Sequence, residues 1–342
     1  MDNGYRDIIA IADKNHWSDE RWAEKINVSL DNIQKIKDGT YAFNQLLYDR
    51  LMELTKKAED EEREQKGRLK RKETAVIAIS LHKGGSGKTS AAVNISYVLS
   101  KLGYRVLLID SDSQMDATKC FFGSHVSKDK NLYRALAVED DFTGYITPTS
   151  YENLDMIMSD TRVSAMESIL MSQHSGVQES VFTFKKCLEK AKEKYDFVFI
   201  DMDKNINLFS RSILTAATHL LMVAECSAFH ISGAIVENSQ AMDIKTSTNP
   251  ELEVLGIILN KVSERKTIVG ETRAALDRAL PGLRFEHVIH QDAAFEKSQW
   301  NGVPIGVFDK NSRGYRDIEA ATHEMLERLG EEGEDGQTAC KQ

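Results

Sequence analysis

What this chain lacks narrows it before any motif is read. Cysteine occurs four times in 342 residues. Cys120, Cys187, Cys226 and Cys340 show neither a CxxC pair nor Cys/His metal spacing, which argues against a disulfide framework or a zinc site and for a reducing compartment. No stretch reaches the roughly 20 consecutive apolar residues of a membrane span. Met1 to Ala10 is polar and charged, without the apolar core of a secretion signal. Positive charge is not in excess: the formal charge is −9, so coating nucleic acid by bulk charge is not indicated and only local basic faces remain. The expected location is cytoplasmic, with no membrane partner.

What is present is organised around Lys83-Gly84-Gly85-Ser86-Gly87-Lys88-Thr89, set between the apolar run Val76 to Leu81 and the helix-forming run Ser90 to Leu102. The order buried strand, glycine turn, helix is that of a phosphate-binding loop. Glycines remove the Cβ atoms that keep backbone N–H groups from closing on a polyphosphate, Lys88 can neutralise terminal phosphates, and Thr89 can offer a hydroxyl to Mg²⁺. At 41% apolar residues the chain can fill one large α/β core and a smaller one.

From Thr74 onward strand and helix patterns alternate. Strands are predicted at Val76 to Leu81, Arg105 to Asp110, Leu154 to Met158, Phe197 to Asp201, His219 to Ala224, Leu252 to Asn260 and Phe285 to His290. Continuous apolar runs ending in acid suit buried parallel strands, so a mostly parallel sheet covered by helices on both faces follows, with its ligand at the carboxyl ends of the strands. Asp110, Asp112, Gln114 and Asp201 stand just past two of those ends. Beside the loop, such acids can hold a metal's water shell or orient an attacking water.

The amino-terminal part reads differently. Ser18 can cap a helix carrying Trp22, Ala23 and Ile26, Asn27-Val28 turns, and Ser29 caps a helix carrying Ile33 and Ile36 that stops at Asp38-Gly39. A further helix holds Leu47, Leu51 and Leu54. Ser18 to Gly39 resembles the lambda-repressor-like helix-turn-helix family. That resemblance implies that the second helix reads DNA, with Ser29, Asp31, Asn32 and Lys35 as contacts. The alternative is a small helical bundle for protein contacts or dimerisation. The organisation read here is a helix-turn-helix domain over 1–57, a charged helical linker over 58–73, an α/β domain over 74–330 and an acidic, disordered tail over 331–342.

The α/β part resembles the deviant Walker-A ATPases of the ParA and MinD superfamily. Lys83 matches the extra lysine ahead of the glycines, Asp110 to Thr118 the second motif, Asp201 the Walker-B acid, Leu259-Asn260-Lys261 the strand end whose asparagine contacts adenine, and Gly302-Val303-Pro304 to Gly314 the last loop. The resemblance implies an ATP-sandwich homodimer in which Lys83 reaches the partner's phosphates. Gly84, Gly85, Ser86, Gly87, Lys88, Thr89 and Ser90 would cradle the nucleotide, with Asn260 and Pro304 completing its site. Thr89, Asp110 and Asp201 would serve Mg²⁺, and Asp112 would polarise the attacking water. It further implies DNA binding, a ParB-like centromere-binding partner, partition of plasmid or mobile-element DNA, autorepression of the operon, and association with the nucleoid in the ATP state.

Two departures from the family pattern bear on output. Met202-Asp203-Lys204-Asn205 stands where a proline pair usually follows the Walker-B acid, and Ser113 where proline is usual. Ile289 to Glu296 lacks the arginines that hold DNA in chromosome-segregating members, leaving Lys261, Arg265, Lys266, Arg273, Arg278, Lys297, Arg313 and Arg316 as basic candidates, with Lys266, Arg273 and Arg313 preferred. The competing function is an ATP-gated transcriptional regulator with little turnover. The acidic, glycine-broken end Glu331 to Gly336 does not suit the membrane-positioning branch, and Cys120 and Cys187 do not suit the iron-sulfur branch.

Overall fold

A computed structural model describes residues 8–9, 12–13, 17–25, 28–38, 51–52, 71, 73–173, 176–263 and 268–331. The chain divides into two compact units, Met1–Leu69 and Lys70–Gln342.

In the first unit, helices Asp19–Lys25 and Leu30–Lys37 pack through Trp22, Ala23, Ile33 and Ile36, all buried, with Ile8, Ala12, Trp17 and Leu51 completing the core. The caps form as the serines foretold. The Ser18 hydroxyl accepts from the Arg21 amide at 3.3 Å and the Ser29 hydroxyl from the Asn32 amide at 3.3 Å, each satisfying one orphan donor of a first turn. Leu51 lies in a helical stretch; Ile26, Leu47 and Leu54 lie outside the described residues, as do 58–70 of the linker and 332–342 of the tail.

The second unit is built on a seven-stranded sheet in the order β3-β4-β2-β5-β1-β6-β7. The strands are β1 (Ala75–Ser80), β2 (Val106–Asp110), β3 (Thr147–Pro148), β4 (Leu154–Ile157), β5 (Phe197–Asp201), β6 (His219–Glu225) and β7 (Glu253–Asn260). All neighbours are parallel except the short edge pair β3–β4. Every residue of β1, β2 and β5 is buried, because alternate side chains serve opposite cores. Ile77, Leu108 and Phe199 pack under the Lys88–Lys101 and Arg313–Arg328 helices, whereas Ala78, Leu107 and Val198 face Phe184, Leu188, Ile213 and Ala234 of helices on the other side. Each fully buried Val, Leu, Ile or Phe contributes about 1.5–3 kcal/mol over leaving it in water.

One predicted strand is not a strand. Around Phe285 to His290 the sheet is met at isolated bridges, Arg284 with Ile257 and His290 with Val262, with the Phe285 and Ile289 amides donating to the Ile257 and Leu259 carbonyls of β7, each at 2.8 Å. Three other amides go to side chains of the last helix: the Glu286 and His287 amides bond Glu324, and the His290 amide bonds Asp317, each at 2.9 Å. An amide satisfied by a carboxylate is withdrawn from a ladder, so the apolar spacing of Phe285, Val288 and Ile289 anchors a loop.

Candidate functional site

The carboxyl ends of β1, β5, β2, β6 and β7 converge on the glycine loop. Ser86 is buried, Gly85 and Gly87 have φ of +79° and +93°, and the helix begins at Lys88. A Cβ on Gly87 would stand 2.0 Å from Asn260 Nδ2, so only glycine fits between the loop and the end of β7. Asn260 donates through that nitrogen to the Ser86 carbonyl at 2.7 Å. Lys88 is 8% exposed, and its ammonium donates to the Leu81 and Lys83 carbonyls at 3.2 and 3.3 Å. Burial lowers the Lys88 pKa, while Asp201, Asp112, Asp203 and Glu237 act to hold its charge.

The acids beside it are set by sheet register. Asp110 and Asp201 are direct partners across β2 and β5, both buried. Asp110 is well supplied: the Thr118 amide and hydroxyl donate to it at 2.8 and 2.7 Å, and the Asp112 amide at 3.1 Å. Neither Asp201 carboxylate oxygen has a hydrogen-bond partner. Burial raises the pKa of both; at Asp201 the neighbouring Asp110 adds to the rise and the Thr89 side chain, short of hydrogen-bond geometry, opposes it. A buried carboxylate with orphaned oxygens is costly unless something cationic comes to it. Asp112 is half-buried, holds the Gln114 amide at 2.9 Å, and has its carboxyl raised chiefly by burial.

Lys88 and Asp112 open onto one cleft of about 610 Å³, lined by Gly84 through Ser90, Asp112, Gln114, Asp116, Asp203, Lys204, Asn260, Lys261 and the segment His290 to Gln299 in part, while Asp110 and Asp201 are buried and do not line it. Its floor can hold phosphates on backbone amides and Lys88, and Asp112 lies on its lining. Among the described residues no group of three or more His, Cys, Asp or Glu side chains stands at metal-holding spacing. The donor set of one hydroxyl and adjacent acids suits a cation that keeps its waters and takes phosphate oxygens, the habit of Mg²⁺.

A family model described as an AAA domain matches residues 74–254. The cell division protein PomZ of Myxococcus xanthus is 30% identical over 249 residues, 72% of this chain and 76% of that protein. The chain belongs to the ParA/MinD family of P-loop ATPases. The chromosome partitioning protein ParA of Caulobacter vibrioides is 25% identical over 255 residues, 74% of this chain and 94% of that one. The fold is shared with McdA(D38A) of Cyanothece, solved with ATP, at a TM-score of 0.67 and 21% identity, covering 76% of this chain and 98% of McdA.

Other residues singled out in the sequence are distributed as follows in this ParA/MinD-family chain. Lys83 is exposed and lies outside the cleft lining, its stem crossing the Ala228–Ser247 helix where a Cβ on Gly233 would stand 3.2 Å from Lys83 Cγ. Pro304 is buried ahead of the short helix Ile305–Phe308, away from the cleft, and the Ile305 amide bonds Asn94 of the phosphate-loop helix at 2.7 Å. Lys35 pairs with Asp31 on the same helix turn, and Ser29 is occupied as a cap. Arg273 is half-buried in the Ile268–Ala279 helix, Arg313 is exposed at the start of the last helix, and Lys266 lies outside the described residues.

Sequence reasoning missed several contributors. Thr118 was read only as the end of a motif, yet it is the main donor to Asp110. Asp203 and Lys204, noted only as departures, line the cleft. Glu237, buried on the Ala228–Ser247 helix, stands 3.2 Å from His82 Nδ1; an acid in an otherwise apolar helix face was the available signal. Lys261, read as a candidate DNA contact, donates instead to the Gly85 carbonyl at 2.6 Å and to Glu225 at 2.7 Å.

Proposed function

We propose that this chain is a ParA-type ATPase that binds ATP with Mg²⁺ at the phosphate loop, closes as an ATP-sandwich dimer, binds DNA in that state, and partitions plasmid or mobile-element DNA with a ParB-like partner. The observation that carries the reading is the meeting of Lys88, Thr89 and Asp112 in one cleft, with the register-paired, buried Asp110 and Asp201 at the strand ends behind them. Gly84 to Ser90 would bind the phosphates, Lys88 neutralising the outer ones. Thr89 would hold the cation, and Asp110 and Asp201 its waters; the orphaned oxygens of Asp201 fit that task. When bound, Mg²⁺ offsets phosphate charge as it builds on the leaving oxygens. Asp112 would orient the attacking water.

The exposed Lys83, turned from its own cleft, fits a residue that completes a partner's site. The family names that point to positioning DNA or cell-division machinery, PomZ and ParA, support the partition reading. The amino-terminal unit, with two capped helices on an apolar seam, supports a DNA-reading domain that represses the operon. The deciding experiment is ATP turnover with and without DNA and the product of the adjacent gene. Strong joint stimulation supports partition; no stimulation by either refutes it.

A regulator with little turnover is the second reading, and Asp203 favours it. That carboxylate lines the cleft in addition to Asp112, adding negative charge where a γ-phosphate must sit, which slows rather than speeds hydrolysis. Site-specific DNA binding gated by ATP with turnover unchanged by DNA would select this reading.

A further inference from the structure

The outer rim of the phosphate loop is fastened to the end of β7 by two successive residues. Asn260 Nδ2 donates to the Ser86 carbonyl at 2.7 Å and Lys261 Nζ to the Gly85 carbonyl at 2.6 Å. Lys261 Nζ also meets Glu225, the last residue of β6, at 2.7 Å; Glu225 and Asn260 are register partners across β6 and β7. In a trans peptide the carbonyl and the following N–H point opposite ways. Drawing the Gly85 and Ser86 carbonyls back to the sheet therefore turns the Ser86 and Gly87 amides toward the cleft.

Lys261 holds this pose at φ +52°, a left-handed conformation that side chains other than those of Gly, Asn and Asp rarely adopt and that persists when surrounding contacts fix it. We propose that Lys261 and Glu225 form a clamp that presets the phosphate loop for a nucleoside polyphosphate, with Lys261 a positioning residue acting through the Gly85 carbonyl and not a phosphate ligand. Glu225 matches the ammonium's charge and holds it on the loop's outer side. The clamp rests on the reading of the cleft as an ATP site.

The test is isothermal titration of the full chain with Mg·ATP, alongside the melting midpoint of the nucleotide-free protein. Lys261→Met and Glu225→Gln are both expected to weaken binding, by about three- to tenfold for one lost solvent-exposed hydrogen bond, with the nucleotide-free midpoint unchanged and with Lys261→Arg restoring most of the affinity. The Glu225 variant separates a clamp from a ligand. If Lys261 binds phosphate directly, freeing it from Glu225 tightens ATP, and that result overturns the proposal. Binding by Lys261→Met within twofold of wild type, while Lys88→Ala binds nothing, overturns the clamp and leaves the ATP site standing. An affinity loss matched by a lower nucleotide-free midpoint assigns Lys261 to general stability and also overturns it. No binding by wild type refutes the ATP site and the clamp together.

Discussion

Gly87→Ala isolates the contact that shapes the phosphate loop, because Gly85→Ala provides a control with the same backbone problem and no neighbour. Both glycines lie at positive φ, +93° and +79°, where a Cβ costs about 1–2 kcal/mol. At Gly85 the new methyl meets nothing within 4 Å, whereas at Gly87 it stands 2.0 Å from Asn260 Nδ2 and 3.3 Å from Asn260 Cγ. Asn260 must therefore move and give up its bond to the Ser86 carbonyl, a further loss of about 1 kcal/mol.

Summed, Gly87→Ala costs about 2–3 kcal/mol and Gly85→Ala about 1–2, which in nucleotide affinity is about 30- to 150-fold against about 5- to 30-fold. Titration with Mg·ATP reads both. A double-mutant cycle then tests the cause: Asn260→Ala removes the obstacle, so Gly87→Ala should cost less in that background, by about 1 kcal/mol of coupling. Strict additivity of Gly87→Ala and Asn260→Ala, or equal losses at Gly85 and Gly87, would show that the close approach to Asn260 is not what demands glycine.

Asp112→Ala removes the group proposed to orient water while leaving Lys88 and Thr89 in position, so the expected outcome is an ATP-bound dimer that persists on gel filtration; normal turnover would take Asp112 out of that role. Lys83→Ala should weaken ATP-dependent crosslinking between chains, and a dimer indifferent to ATP in wild type would contradict the switch. Burial holds the Glu237 carboxyl above its ordinary 4.5, against the Ser80 hydroxyl, the Lys88 charge and the His82 backbone. A raised carboxyl stabilises the fold below its unfolded pKa, and that contribution is lost as pH rises through the folded pKa. Glutamine cannot ionise, so Glu237→Gln should gain melting temperature relative to wild type as pH climbs from about 4.5 toward 8; a gap that does not change with pH would mean the buried charge is not the burden.

The parts of this molecule that were legible in its sequence are those whose cause is local. β1, β2 and β5 announced themselves because strands covered on both faces are apolar throughout, and the loop because glycine spacing records backbone conformation directly. The Phe285 to His290 segment misled for the same reason in reverse: its apolar residues are buried, but the carboxylates of Glu324 and Asp317 that take three of its amides lie 27 to 38 residues later in the chain, where no pattern links them. Lys261 shows the limit of reading charge alone. A lysine in sequence is a free cation until its partners are known, and here they are a carbonyl of the phosphate loop and Glu225.

Asp110 and Asp201 show how much the fold adds to two residues each legible by itself. Either acid after a strand reads as a helix cap or a ligand with equal ease, and only register makes them neighbours. Once adjacent and buried they raise each other's cost of ionising, and the fold spends its local donors on one of the two: Thr118 and the Asp112 amide serve Asp110 and leave Asp201 bare. That asymmetry gives the pair a direction. The satisfied acid is fixed in place, and the bare one, beside Thr89 and Lys88, is where added positive charge is worth most. A cation drawn to that bare acid would take its remaining ligands from phosphate and water.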